Sequence, residues 1–494
     1  MTATFMAAVE ATIVATAMPS IVADLGGFRL FTWVFAVYLL TQAVTIPIYG
    51  KLADLYGRKR VFFAGASLFL LGSALCGFAW GMVPLIAFRA LQGLGAGAIL
   101  PIATTIVGDL YEPATRGRVQ GYLSSVWGVS AVIGPVLGAF LVQHLNWALV
   151  FWINLPIGGI AIALLARFLR EPPARRAHRV DYAGAILLML GAGALMLALV
   201  QAESLGAPVA TTLCILALVA LGALWVRERR AAEPILPLRL WRNRTIVVSN
   251  LGSLASGSVM MGVTAFLPIY VQGVMGKSPT VAGFVLTVMS LGWSAGSIAI
   301  GRLIGRVSHR WTAAAGGFAL LVGTLLLIGL EPARGPLWAG TGAFVIGIGM
   351  GFTSTTFLVA IQSSVGREER GTATSSMLFL RMLGQSLGAA LFGAIVNLGV
   401  DRGLPGGRHA VDRLMESAQR AAMPPDEIGR LTGAIAGSLH EVYLIAGLIA
   451  AVTLVLTLAL PSGSAHADEP AENAPAGRTA AGRREYREAG RSSL

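Results

Sequence analysis

The chain has 494 residues, of which 55% are hydrophobic and only 12% charged, with a mean hydropathy of +0.72. Soluble domains carry about 25% charged residues, so this composition excludes a soluble globular protein and identifies a polytopic membrane protein. The formal net charge of +13 does not mark a nucleic-acid binder, because the basic residues lie in short loops between apolar runs and are explained by membrane topology.

Runs long enough to cross a ~30 Å hydrocarbon core begin near Thr2, Thr32, Val61, Val83, Val119 and Leu149, then near Tyr182 and Val209, then near Ile246, Thr280, Thr312, Leu337, Thr372 and Val442. The pattern is six, two and six: an all-α chain of fourteen transmembrane helices. It divides into an N-terminal six-helix bundle over 1–170, an inserted pair with its flanking loops over 171–243, and a C-terminal six-helix bundle over 244–461. The Ala-, Gly-, Arg- and Glu-rich tail over 462–494 is expected to be disordered. No cleavable leader is recognisable before the first run, which is therefore expected to stay in the mature protein. Cys76 and Cys214 both fall inside apolar runs, which argues against a disulfide framework or a thiol metal site.

Lys and Arg collect in cytoplasmic loops. One alternate set of connections holds Lys51, Arg58, Lys59 and Arg60, then Arg116 and Arg118, Arg170, Arg175, Arg176 and Arg179, Arg227 to Arg244, Arg302 to Arg310, and Arg367 with Arg370. That side is expected inside, with both termini. The long outer connection, 401–440, contains an amphipathic stretch from Val411 to Ala421 that suits a short surface helix.

Three charges stand inside the spanners. Glu10 lies in the first; an ionised side chain near the bilayer centre costs roughly 2.5–3.5 kcal/mol on insertion scales, so a carboxylate there faces a cavity or a partner and commonly serves a proton path. Arg89 lies in the fourth. At 1.5 Å per residue it sits about 10 Å from the outer face and Glu10 about 12 Å from the inner one. The remaining gap of about 8 Å is one that two long side chains or a water can bridge. Either the two form a proton-sensitive pair, or Arg89 snorkels outward or bonds a carbonyl. Arg381, near the middle of the thirteenth, has no obvious acidic partner in the second half. At the inner mouth, Asp54, Arg58 and Asp109 are placed to form a small charge network, and Asp54 lies within reach of the helix N-terminus at Gly371, where a dipole favours a carboxylate.

A degraded internal repeat links the halves. Gly50 to Arg60, GKLADLYGRKR, has its counterpart in Gly301 to Trp311, and Arg116-Gly117 in Arg370-Gly371. Duplicated bundles are the ground plan of many transporters.

These residues resemble the major facilitator superfamily, and within it the fourteen-spanner drug:proton antiporters. Gly50, Asp54, Gly57, Arg58 and Arg60 match the loop signature G-x-L-x-D-x-x-G-R-x-R, and Leu85, Arg89, Gln92, Gly93 and Gly95 resemble the fourth-spanner signature. Gly128, Gly134, Pro135 and Gly138 resemble the fifth-spanner pattern associated with antiport. Glu10-x-Thr12, Ile153-Asn154-Leu155-Pro156-Ile157-Gly158 and Asp181-Tyr182-x-Gly184 resemble family-level marks. The resemblance implies the major facilitator fold, a cytoplasmic latch built on Gly50, Asp54, Gly57, Arg58, Arg60 and Asp109, and a hinge at the fifth spanner. Two departures stand out. The first-spanner acid is Glu where the family more often has Asp, and Gly305 stands where the first half has Asp54.

A central cavity is expected between helices one, two, four and five and their second-half partners. On the first half's side its candidate lining is Tyr38, Gln42 and Gln92. On the second half's side it is Asn250, Met260, Phe266, Met289, Trp293, Gln362 and Arg381. Aromatic and Met surfaces repack around different ligands. The expected function is proton-driven export of amphipathic, monocationic or neutral drugs from the cell across the plasma membrane, by a monomer. Protons and the lipid bilayer are its other partners, with no cofactor beyond the proton gradient and no metal. A dedicated exporter of one endogenous metabolite or antibiotic, or a proton symporter, uses the same fold. An enzyme is not expected: nothing matches a nucleotide-binding P-loop, and no cluster of His, Asp or Cys lies within the spanners.

Overall fold

The computed structural model describes residues 1–25, 30–169, 181–231, 234, 239–304, 306–403 and 424–461. Within them the long helices are α1 (Thr2–Leu25), α2 (Phe31–Tyr56), α3 (Arg58–Gly77), α4 (Met82–Leu110), α5 (Pro113–His144) and α6 (Leu149–Phe168, turning at Ile153). The inserted pair is α7 (Tyr182–Leu205) and α8 (Ala207–Glu228). The second bundle holds α9 (Arg244–Thr264, carried on to Val274 by shorter helical turns), α10 (Pro279–Leu303), α11 (His309–Ile328), α12 (Gly335–Ser363), α13 (Arg370–Gly403) and α14 (Pro425–Leu458). Twelve of these are long and apolar enough to cross a membrane. α1 and α5, at 24 and 32 residues, occupy the first and fifth places. In lipid a helix is viable because it satisfies its own backbone groups.

The structure corrects two boundaries. The fifth helix begins at Pro113, before the apolar run at Val119, because proline suits a first helical position and its polar first turns are covered by protein, with Arg116 and Gln120 both buried. The last begins at Pro425, well before Val442, with Asp426 and Glu427 in its first turn, where acids complement the helix dipole. Its opening turns carry Gly429, Gly433, Gly437, His440 and Glu441, which mask the helix in a hydropathy reading. The surface helix expected over 411–421, Gly305 and the tail over 462–494 lie outside the described residues.

The halves meet along two seams, α2 with α13 and α5 with α10. Small residues let the backbones approach: Gly50 packs on Ser375 and the Gly371 carbonyl, while Gly117 and Gly121 pack on Gly301 and Ser297. Gly57 makes the one-residue turn from α2 to α3 at φ +93°, a conformation that costs glycine nothing.

The inserted pair lies along the first seam. Leu188, Ala192 and Met196 of α7 share an apolar cluster with Val44 of α2 and Met377 of α13. Asp181 holds the pair together: its Oδ1 accepts from Gly184 N at 2.9 Å, starting α7, and it forms an ion pair with Arg227 of α8 at 3.0 Å. Burial pushes the Asp181 carboxyl up, but Arg227 and the Gly184 N–H outweigh it and hold the group below its usual range.

Candidate functional site

Glu10 is fully enclosed, 0% exposed, on α1. Arg89 of α4, 2% exposed, pairs with it directly, Nη1 to Oε1, so the two side chains bridge the axial gap without an intervening water. Asn154 of α6 donates Nδ2 to the other oxygen, Oε2, at 2.5 Å. Three helices thus converge on one carboxylate.

A second ring of bonds fixes the pair. Arg89 also donates Nε to the Val34 carbonyl at 3.2 Å and Nη1 to Gln92 Oε1 at 2.7 Å, and its guanidinium lies 4.0 Å from the centre of the Tyr38 ring. Ser73 of α3 accepts from Gln92 and Asn154, each at 3.0 Å, and donates to the Phe151 carbonyl at 2.7 Å. Both alternatives for Arg89 therefore hold at once: it pairs with the acid and it bonds a carbonyl. Tyr38 and Gln92, expected in the cavity wall, are buried around this pair. Ser73 and Asn154 were not among the candidate site residues. The signal for Ser73 is a polar side chain inside an apolar run; Asn154 stands in the Ile153–Gly158 mark, which gave it no role.

The antiport-type residues of α5 divide between two neighbours. Gly134 lies against the Thr12 hydroxyl of α1, and Thr12 donates to the Ser130 carbonyl at 3.3 Å, two residues from Glu10. Gly128 faces Ser294 of α10, which donates to the Ser124 carbonyl at 3.4 Å. Gly138 is buried; the side chain of Pro135 lies outside the described residues. One helix therefore touches both the acid-bearing helix and the other half.

At the arginine-rich end the halves are joined by a dense polar cluster. Asp54 accepts from Gly371 N at 2.9 Å, Thr372 N at 2.7 Å and Thr372 Oγ1 at 2.8 Å, and pairs with Arg58 at 2.8 Å. Arg58 pairs in turn with Asp109 at 3.0 Å and donates to the Arg367 carbonyl at 2.7 Å. Arg370 reaches back to Asp109 at 3.1 Å and to the Gly108 carbonyl at 2.9 Å. Gln362, expected in the cavity, instead donates to the Thr104 carbonyl at 3.1 Å and belongs to this cluster. Arg60 is exposed in the first turn of α3. The second-half contributors, Arg367, Arg370 and Thr372, were visible in sequence only as loop charges and a repeat.

The remaining cavity candidates separate by burial. Asn250, Met289 and Phe266 are enclosed in second-half packing, Asn250 bonding Ser376 at 2.9 Å and Phe266 lying edge-on to Phe392 at 6.0 Å. Gln42, Met260, Trp293 and Arg381 are half-buried. The last three gather in one place: Arg381 donates to Ser354 Oγ at 3.1 Å and lies 5.8 Å from the Trp293 ring, and Gln385, one turn along α13, approaches the Met260 sulfur at 3.8 Å.

A model of the Major Facilitator Superfamily matches residues 1–389. The chain is 36% identical over 471 residues to multidrug resistance protein 3 of Bacillus subtilis (strain 168), covering 91% of this chain and 92% of that one. It is 38% identical over 404 residues to the multidrug transporter protein MdtP of the same organism, covering 80% and 74%. Two solved structures share its fold. The human organic anion transporter MFSD10 does so with a TM-score of 0.60 at 15% identity, covering 91% of this chain and 97% of that one. The proton:xylose symporter XylE does so with a TM-score of 0.63 at 11% identity, covering 94% and 95%.

Proposed function

The chain belongs to the Major Facilitator Superfamily, and from that premise we propose that this multi-pass transporter drives amphipathic small molecules, monocationic or neutral, out of the cell by proton antiport. Its arginine-rich end and both termini face the cytoplasm in this reading, and the monomer works in the plasma membrane. The relatives named for multidrug resistance and multidrug transport support export of foreign amphiphiles.

The observation that carries the proton coupling is the Glu10 carboxylate, sealed from solvent and held by Arg89 and Asn154. Ionised, it fixes Arg89 and with it the outer part of α4. Protonated, it loses its charge-assisted bonds, and the arginine is left to Gln92, the Val34 carbonyl and the Tyr38 ring. Losing one partner of a buried pair costs about 3–5 kcal/mol, enough to shift a two-state equilibrium whose states differ by a few kcal/mol. The far end of α4 carries Gly108 and Asp109, the acceptors of Arg58 and Arg370. One helix therefore links the proton site to the latch, and α5 provides a second link through Thr12 and Ser294. In this reading the closed latch at the cytoplasmic end belongs to the outward-facing state.

Proteoliposomes with an imposed pH gradient test this reading. Wild type is expected to move a lipophilic dye against its concentration gradient with opposite proton flux. Glu10→Gln is expected to bind the dye and exchange it downhill while losing gradient-driven movement. Undiminished driven transport by that variant sinks the reading.

A further inference from the structure

Proton coupling through Glu10 leaves Arg381 without a role. It lies eleven residues into α13, about 16 Å along the axis and so near the middle of a ~30 Å core. Two arginines buried near the seam have carboxylates, Arg89 with Glu10 and Arg58 with Asp54 and Asp109, while buried Arg116, at the arginine-rich end, has the Ser363 hydroxyl and the Tyr111 carbonyl. Arg381 has, among the described residues, a hydroxyl and an aromatic face, Ser354 Oγ at 3.1 Å and the Trp293 ring at 5.8 Å. A guanidinium carries five N–H donors in a planar fork, so most of its donors remain for a ligand. Taking such a charge out of water is expensive unless an anion meets it.

Its surroundings complete a receptor. Ser354 accepts from Arg381 and keeps its own O–H to donate. Gln385, four residues on and so on the same helix face, directs its amide at a thioether, a weak acceptor. Trp293 and Met260, both half-buried, supply apolar walls beside these donors. We infer that Arg381, with Ser354 and Gln385, is the subsite for a carboxylate on the transported amphiphile, whose apolar body packs on Trp293 and Met260. Bidentate pairing with a carboxylate is the geometry the guanidinium fork matches best. A substrate bearing both a carboxylate and a cation is neutral overall, which keeps it within the proposed class while fixing its orientation. The inference rests on the proposed transport function for its meaning, but not for its test.

Equilibrium binding to the detergent-purified full chain, read by fluorescence anisotropy, compares rhodamine B, which has a free carboxylate, with rhodamine B ethyl ester, which does not. Wild type is expected to bind rhodamine B about tenfold or more tightly than the ester. Arg381→Gln is expected to erase that preference by weakening rhodamine B alone, Arg381→Lys to restore part of it, and Ser354→Ala to reduce it a few-fold. Equal affinity of wild type for the two dyes overturns the inference, as does an equal loss of both in Arg381→Gln. Matching elution profiles and thermal midpoints establish that the variants fold, and Arg381→Lys with Ser354→Ala carry the comparison should Arg381→Gln fail to. Binding needs no gradient. An intact carboxylate preference without driven transport therefore rejects only the antiport reading, and driven transport without the preference rejects only the subsite.

Discussion

Asp54 of α2 closes the N-terminus of α13, accepting from Thr372 through its backbone N–H at 2.7 Å and through its hydroxyl at 2.8 Å. Two physical effects coincide here, because a helix N-terminus offers unpaired donors and a positive dipole end, and an aspartate from the opposite half satisfies both. Hydrogen bonds to a charged group contribute about 1.5–3 kcal/mol each. Asp54→Asn removes the charge and turns one acceptor into a donor facing another donor. A loss of about 2 kcal/mol changes the ratio of closed to open latch roughly thirtyfold. Spin labels at the exposed positions 60 and 306, in a Cys214→Ser background, report the separation of the halves at this end by double electron–electron resonance. The variant is expected to populate a longer distance, and an unchanged distribution contradicts the latch.

Much of this was legible in sequence. The six-two-six pattern follows from run lengths alone, and Asp54 near Gly371 follows from loop positions in the repeat, because helix ends and charges have fixed consequences. Rise per residue put Glu10 and Arg89 within reach of one another, but left snorkelling or a carbonyl bond open for the arginine. What sequence did not yield depends on rotation about helix axes: Gln362 and Gln92 are glutamines in apolar helices like Gln42, and only packing decides that one joins the latch, one braces Arg89 and one stays half-buried. Asn154 and Ser73 were missed for the same reason. The start of α14 was missed because glycines and a histidine in its first turns lower hydropathy without preventing a helix.

Gly134 against Thr12 gives a packing test. A Cβ at position 134 overlaps the Thr12 hydroxyl, and overpacking of this kind costs about 1–3 kcal/mol. Gly134→Ala is therefore expected to lower the thermal midpoint and slow driven transport, and Thr12→Ala, which removes the obstructing oxygen but keeps a Cβ 2.9 Å from the new methyl group, to recover part of both. Additive losses in the double variant argue that the two residues do not act through this contact.

Asp181 yields a pH dependence. Its carboxyl titrates below the usual range in the folded protein, so the unfolded chain binds its proton first as pH falls. The stabilisation is present above the unfolded value, near 3.8, and disappears as pH drops through the folded one. Asp181→Asn is expected to lower the midpoint of thermal unfolding by a similar amount from pH 8 to pH 5, with the gap to wild type narrowing only below about pH 4. A gap that closes near neutrality contradicts this assignment.

Asn154 separates direct from indirect support of the proton site. Its amide touches Glu10 at 2.5 Å and Ser73 at 3.0 Å, whereas Ser73 reaches Glu10 indirectly, through Asn154 or through Gln92 and Arg89. Asn154→Leu keeps the Arg89 pair but withdraws a donor from a buried carboxylate, a loss of about 1.5–3 kcal/mol. Driven transport is expected to fall roughly ten- to hundredfold with dye binding retained. Ser73→Ala strands two amide donors without touching the carboxylate, so it is expected to cost stability more than coupling. The two variants should therefore part when transport rate is set against thermal midpoint. If Ser73→Ala impairs coupling as severely as Asn154→Leu, the direct bond from the Asn154 amide to Glu10 is not what sets the coupling.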